Sequence, residues 1–303
     1  MKRTIVYFAL VWIPLLAMAN SGFPQSDEIR HTPEDQKVYE KVMDELLPLR
    51  NESMPVLIMK AAEVMLETPY VGGTLEQLPE MLTVSLARTD CILLVEACVC
   101  MALTARQEDH GFEAFCDNLR QFRYRKGEAD GYAGRIHYTS EWIQQAESRD
   151  LAREMSRSIS GIPLNQDFSY MSVHADSYPA LAGNPQLIDR IATVEKELSK
   201  RKYYYIPKAQ LEKTLEKIQH GDMICFVSNI EGLDISHVAF AYETYICEHD
   251  CCPDGRGCPN GKRRLGFLHA SSKAKKVVVD EMTLTGYVNT SASCKGIRIV
   301  RFL

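Results

Sequence analysis

The chain has 303 residues, 25% of them charged and 46% hydrophobic, with a net charge of -5. That balance suits a globular protein and argues against a disordered one. No long Lys/Arg run supplies the basic footprint that a nucleic-acid partner requires, so nucleic-acid binding is not expected.

At the start of the chain, Lys2 and Arg3 precede an apolar run from Ile5 to Leu16 and then Ala17-Met18-Ala19. This is the pattern of a secretory signal over residues 1–19 with cleavage near Asn20. The run is shorter than the roughly 20 residues of a membrane span, and no cysteine follows closely enough for lipidation. The expected product is an exported protein, most simply periplasmic, with no stable membrane insertion after cleavage. Roughly 280 residues remain, enough for one large domain or two small ones.

Thr32-Pro33-Glu34-Asp35 reads as an N-cap, a proline in the first turn and acidic first-turn residues. Val38, Tyr39, Val42, Met43, Leu46 and Leu47 follow at helical spacing. A second helix is expected after Ser53-Met54-Pro55, stopping before Pro69. The glycine-bearing stretch 68–76 predicts a turn, and Leu82, Val84 and Leu86 alternate as in a strand over 81–87. From Cys91 to about Ala105 the chain is apolar on nearly every face, which predicts a helix buried all round.

Residues 126–214 differ in texture, with a loop in "KGEADGYAG", a short helix from "HYTSEWIQQAE" and an amphipathic helix in "PQLIDRIATVEKELSKRK". The run Tyr203-Tyr204-Tyr205 reads as a strand with alternating faces. Short β-rich runs then follow: "MICFVS", "SHVAFAYETYI", "RRLGFLHAS", "KKVVVDEMTL" and "GIRIVRFL". Helices first and antiparallel strands later predict an α+β fold with the Cys91 helix laid on the sheet.

A thiol reacts as its thiolate, and a helix N-terminus or an imidazolium favours that form. Cys91 has the first of these by position, behind Thr89 and Asp90, whereas Cys98 and Cys100 lie deeper and read as core residues. Of the eight histidines, His237 is expected to share a strand face with Ile235 and Ala239, and His269 with Phe267. Each alone is more often a hydrogen-bonded core histidine. Together with Cys91 they form a candidate Cys-His-His constellation, in which one imidazole takes the thiol proton and the other fixes its tautomer.

Arg135, Tyr138, Glu141 and Trp142 cluster at a loop-to-helix boundary, a chemistry suited to sugar stacking and carboxylate pairing. The alternative is that Tyr138 and Trp142 anchor an inserted helix. Cys247, Cys251, Cys252 and Cys258, with His249 between them, are spaced C-x3-C-C-x5-C. The paired C-x2-C knuckles of a zinc site are missing, so disulfides in a hairpin tip are the favoured reading and no metal is expected.

The set "YVGG", "RTDC" at the head of a buried helix, "GDMICFVSNIEGLDISHVAFAYE" and "LHASSKAKKVVVD", with "RIHYTSEWI" and "YYYIPKAQL", resembles the papain-like cell-wall hydrolases of the NlpC type. It is most similar to their exported N-acetylmuramoyl-L-alanine amidase-like branch. The resemblance implies a single papain-like catalytic domain over 28–303 with a mainly helical insertion at about 126–214. It makes Cys91 the nucleophile, His237 the general base and His269 the residue that orients it. Tyr70 would lie beside the nucleophile, Asp90 would contact substrate or cap the helix, and Ser236 would be a substrate contact. No cofactor is implied. The implied reaction is hydrolysis of the amide between N-acetylmuramic acid and L-alanine in peptidoglycan fragments, anhydro-muropeptides above all. Two alternatives stay open: an endopeptidase cutting between D-γ-glutamate and the diamino acid, and a muropeptide-binding protein without activity.

Overall fold

The computed structural model describes residues 29–246 and 261–303. The signal-peptide expectation and the four-cysteine loop lie outside the described residues.

Helix α1 (Pro33–Leu46) begins at the N-cap its sequence predicts, and Asp35 completes it as a capping box. Thr32 Oγ1 accepts the Asp35 N–H at 3.2 Å, and Asp35 Oδ2 accepts the Thr32 N–H at 2.8 Å. Helix α2 (Met54–Val64) follows, its first turn opened by Pro55. Segment 81–87 corrects the strand expectation: it forms no strand, and its only bridge is the isolated pair Arg30↔Thr83. The alternating residues Leu82, Val84 and Leu86 are buried, but Thr83 and Ser85 between them are buried too. This backbone is satisfied partly by Arg30, whose N–H donates to Leu82 O and whose carbonyl accepts the Val84 N–H, each at 2.8 Å, and partly by a side chain, because Asp35 Oδ1 accepts the N–H groups of Leu86 and Ala87 at 2.7 and 2.9 Å.

Asp35 therefore carries a stability prediction. Burial alone would raise its pKa, but hydrogen bonds from Ala87, Thr32 and Leu86 outweigh burial and hold it below the ordinary 3.8. A depressed carboxylate stabilises the fold above its unfolded pKa, and that contribution fades as pH falls through the folded value. Asp35→Ala is expected to cost about 3 kcal/mol in urea unfolding at pH 7, and less below pH 4. A cost under about 1 kcal/mol at pH 7 would show that the carboxylate does not hold 81–87 in place.

Helix α3 (Cys91–Arg106) is buried along nearly its whole length and packs on α1, α2 and α4 (Phe112–Arg123). Beyond it come α5 (Thr139–Ser148), β1 (Ala152–Glu154), β2 (Ile162–Leu164), α6 (Tyr170–Val173), α7 (Pro185–Ser199), β3 (Tyr203–Pro207) and α8 (Lys208–Leu211). The helices α5 and α7 and the strand β3 stand where the sequence places them. β1 and β2 were not expected, since three residues are too few to display an alternation. The remaining elements are β4 (Met223–Ser228), β5 (Ile235–Ile246), β6 (Lys262–Ser271), β7 (Lys276–Val279), α9 (Leu284–Thr290) and β8 (Cys294–Phe302).

These strands form one antiparallel sheet in the order β2-β3-β8-β4-β5-β6-β7, with β1 paired to the far end of β8. The fold is thus α+β, as the element order implies. Both faces of the central strands are covered, which is why β4 is buried at every position. Cys225, Val238, Phe240, Leu268 and Val300 join the apolar cluster under α1 to α5. Ile224, Phe226, Ala239, Phe267 and Ile299 join a second cluster with Leu211 of α8 and Leu284 and Val288 of α9.

Among the described residues, no helix is long and apolar enough to cross a membrane.

Candidate active site

Asp90 fixes the start of α3, its Oδ1 accepting the N–H groups of Ile92 and Leu93 at 3.1 and 3.0 Å. Of the two readings of Asp90, the structure supplies the cap. Cys91 is then the first helical residue. It is half-buried and lines a cavity of about 260 Å³ together with Ser236, His237 and Val238 of β5.

β5 reaches this point through an irregularity. The β4–β5 register pairs Phe226 with His237 but Val227 with Ile235, so Ser236 is an extra, exposed residue in a bulge. This corrects the expected face of His237 in part: Ala239 belongs to the same cluster as Phe226, as expected, but Ile235 does not. Ile235 points into the cluster under α1 to α5, while His237 stacks on Phe226 of the opposite cluster with ring centroids 5.5 Å apart. The β5–β6 ladder starts only at Phe240↔Leu268, so the backbone of residues 235–239 is laddered to β4 and not to β6. Beside this opening the Val238 amide acts on the Cys91 thiol, lowering its pKa. The Cys91 thiol, from one side of the sheet, and the His237 imidazole, from the other, line the same cavity there.

His237 Nε2 lies 2.7 Å from His269 Nδ1. His269 is buried against Phe267, at 4.8 Å between ring centroids, as its strand face predicts. The three residues expected to act together are therefore brought together by geometry: Cys91 and His237 share a cavity, and His237 and His269 share a hydrogen bond. His237 also lines a second cavity of about 720 Å³, with His269, Lys273 and Tyr287 on its wall.

Electrostatics depart from the expected thiolate. Burial pushes the Cys91 thiol up to about 12, the nearby Asp90 charge adding to it, and the amides of Val238, Ile92 and Cys91 oppose this only in part. Burial, helped by His269, pushes His237 down to about 3. Burial also lowers His269, against the pull of Asp280. The resting site is thus a neutral thiol beside neutral imidazoles, because desolvation outweighs the helix dipole.

Tyr70 stands close to Cys91, its pKa raised by burial and then by Cys91 and Asp90. Its segment is fixed by Tyr70 N–H to Lys275 O and Val71 N–H to Thr89 O, each 2.8 Å. Arg135, Tyr138 and Trp142 line the Cys91 cavity, whereas Glu141 does not. Most of their polar groups are already engaged. Arg135 is 5% exposed and pairs with Glu76 at 2.8 Å and Glu80 at 3.2 Å. Tyr138 donates to Glu195 at 2.6 Å, and Glu141 is held by Arg125. Trp142 packs on Phe122, its indole N–H buried without a hydrogen-bond partner among the described residues. Its position is that of a core anchor facing the cavity floor.

Sequence reasoning missed two features. His137 stacks on Tyr132, at 4.5 Å between centroids, and lines the Cys91 cavity. Asp280, just beyond β7, places Oδ2 3.3 Å from His269 Nε2. The signal for Asp280 was available in hairpin arithmetic: the turn pairs His269 with Val278, and a residue two further on falls on the same face.

A family model described as AmiA-like, N-acetylmuramoyl-L-alanine amidase-like, matches residues 60–297. A solved N-acetylmuramoyl-L-alanine amidase from Bacteroides uniformis is 31% identical, with a TM-score of 0.72 over 82% of this chain and 98% of its own. A Bacteroides fragilis protein, solved as a candidate xylanase, is 36% identical, with a TM-score of 0.69 over 79% and 98%. A Legionella pneumophila protein shares the fold at 21% identity, with a TM-score of 0.60 over 89% and 95%. No curated protein matches the sequence.

Proposed function

Because the chain belongs to the AmiA-like family of N-acetylmuramoyl-L-alanine amidase-like proteins, we propose that it is a cysteine-dependent amidase on a papain-like core of the NlpC type. Its substrate is a soluble peptidoglycan fragment, an anhydro-muropeptide in particular, and the bond cleaved is the amide between N-acetylmuramic acid and L-alanine. An extracytoplasmic location is in keeping with a cell-wall amidase-like family and with the signal-like N-terminal sequence.

The observation that carries this reading is the alignment of Cys91, His237 and His269 across the opening between β5 and β6. His237 Nε2 is taken by His269, which leaves Nδ1 for the thiol. Since burial keeps both groups neutral at rest, the thiol proton passes to Nδ1 as sulfur bonds to the amide carbon. Asp90 consumes the N–H groups of Ile92 and Leu93. The Cys91 N–H and the Tyr70 hydroxyl are then donors available to the developing oxyanion. The imidazolium next protonates the alanine nitrogen, the peptide departs, and water hydrolyses the thioester. His237 lines both cavities, which suits a bond with a bulky group on each side.

The xylanase description of one relative does not fit the same geometry. Glycosidases need two carboxylates facing the scissile bond; in the Cys91 cavity Glu76 and Glu96 are each paired with an arginine, Arg135 and Arg123, and in the second cavity Asp280 is turned to Met282 and His269.

Mass spectrometry of purified anhydro-muropeptides after incubation tests the proposal. Release of an intact stem peptide beginning with L-alanine is expected. Anhydro-MurNAc-L-Ala-D-Glu with a released peptide beginning at the diamino acid would instead identify the endopeptidase, and no product with tight binding would identify the non-catalytic binder.

A further inference from the structure

Asp280 sits at the end of the histidine pair, and its geometry is specific. Its Oδ1 accepts the Met282 N–H at 2.8 Å in a turn closed on the aspartate itself. Its own N–H donates to Phe267 O, at 2.9 Å, which ties it to β6 beside His269. With Oδ1 committed, Oδ2 is the oxygen turned toward His269 Nε2, 3.3 Å away. That nitrogen is shut off from solvent and makes no hydrogen bond of good geometry among the described residues. The polar atom it faces is this carboxylate oxygen.

We propose that Asp280 is a positioning residue that sets the direction of the whole relay by fixing the tautomer of His269, and through it that of His237. The inference rests on the amidase reading for its kinetic consequence, but not for its chemistry. A carboxylate only accepts, so His269 carries its proton on Nε2 and turns a bare Nδ1 to His237. His237 then donates from Nε2 across the 2.7 Å contact, and its own Nδ1 is left bare toward the thiol. When that Nδ1 takes the Cys91 proton, no other proton has to move, and the imidazolium formed is held by His269 Nδ1 through the Nε2–H it already carries.

The turn makes the proposal sharply testable. In Asp280→Asn the side-chain oxygen keeps the Met282 N–H, so the amide NH2 replaces Oδ2 and presents a donor to His269 Nε2. Every proton in the relay then shifts to the opposite nitrogen, and His237 faces Cys91 with an N–H that cannot accept. In Asp280→Ala no donor is present and the productive tautomer remains accessible. For Asp280→Asn we expect kcat to fall about 100-fold with KM within about twofold, and we expect Asp280→Ala to lose less. A merely structural role predicts the reverse order, since alanine also loses the turn.

Long-range 1H–15N spectra of 15N-histidine-labelled protein without substrate read the tautomers directly. The wild type should show protonated Nε2 on both His237 and His269, and Asp280→Asn should show protonated Nδ1. Unchanged tautomers in Asp280→Asn, or an alanine variant slower than the asparagine one, would overturn the proposal. If the wild type hydrolyses no muropeptide, the amidase reading fails, while the spectra still decide the relay.

Discussion

Cys91→Ala is expected to lower muropeptide hydrolysis by at least about 10^4-fold, because it removes the atom that bonds to the substrate and no neighbouring group can replace it. Its thermal midpoint should stay within a few degrees of wild type. Cys91 is half-buried at the cavity edge, and the α3 cap is made by Asp90, which the substitution leaves in place. Cys98→Ala provides the internal comparison. Cys98 is fully buried two turns further along the same helix, so its loss should cost about 1 kcal/mol of stability and leave the rate per folded molecule unchanged. Both variants are read by stem-peptide release and by thermal unfolding. Wild-type turnover in Cys91→Ala would exclude the thiol as nucleophile, whatever the fold.

Much of this site is legible in the sequence because it is built from local rules. A cap residue, a thiol and an apolar run specify where α3 starts and which sulfur lies at its head. Alternation marks the strands that carry His237 and His269. Three things escape such rules, each for a physical reason. The bulge at Ser236 inserts one residue into β5 and reverses the faces of Ile235 and His237 relative to each other, and only a partner strand reveals that slip. Segment 81–87 has the pattern of a strand but is bonded by the Asp35 carboxylate from 50 residues earlier in the chain, a contact invisible to any window. The charge state of Cys91 depends on how completely the sheet and helices exclude water. Position at a helix N-terminus argues for a thiolate, and burial argues more strongly against it.

That last reversal has a consequence for pH dependence. In a preformed ion pair, activity would track the titration of a charged imidazole. Here His237 is pushed down to about 3, first by burial and then by His269, and a depressed base stays neutral, and able to accept, at every pH above that value. A histidine at its ordinary 6.5 would be protonated roughly 30 to 1 at pH 5 and would lose activity in proportion. For this enzyme kcat/KM at pH 5 is expected to remain within about threefold of its value at pH 7, with no alkaline fall below about pH 9 because the thiol is raised as well. The same depression works against the fold: below 6.5 the unfolded chain binds protons that the folded chain refuses, so stability declines as pH drops toward 3. Rates must therefore be normalised to the folded fraction, read by near-UV circular dichroism at each pH. His237→Gln should lower kcat by about 10^3-fold across the whole range, since glutamine cannot take the proton at any pH. An acid limb in the wild type centred near 6.5 would mean that the imidazole is solvated in the working enzyme, and that the neutral resting pair is not the state from which the thiol attacks.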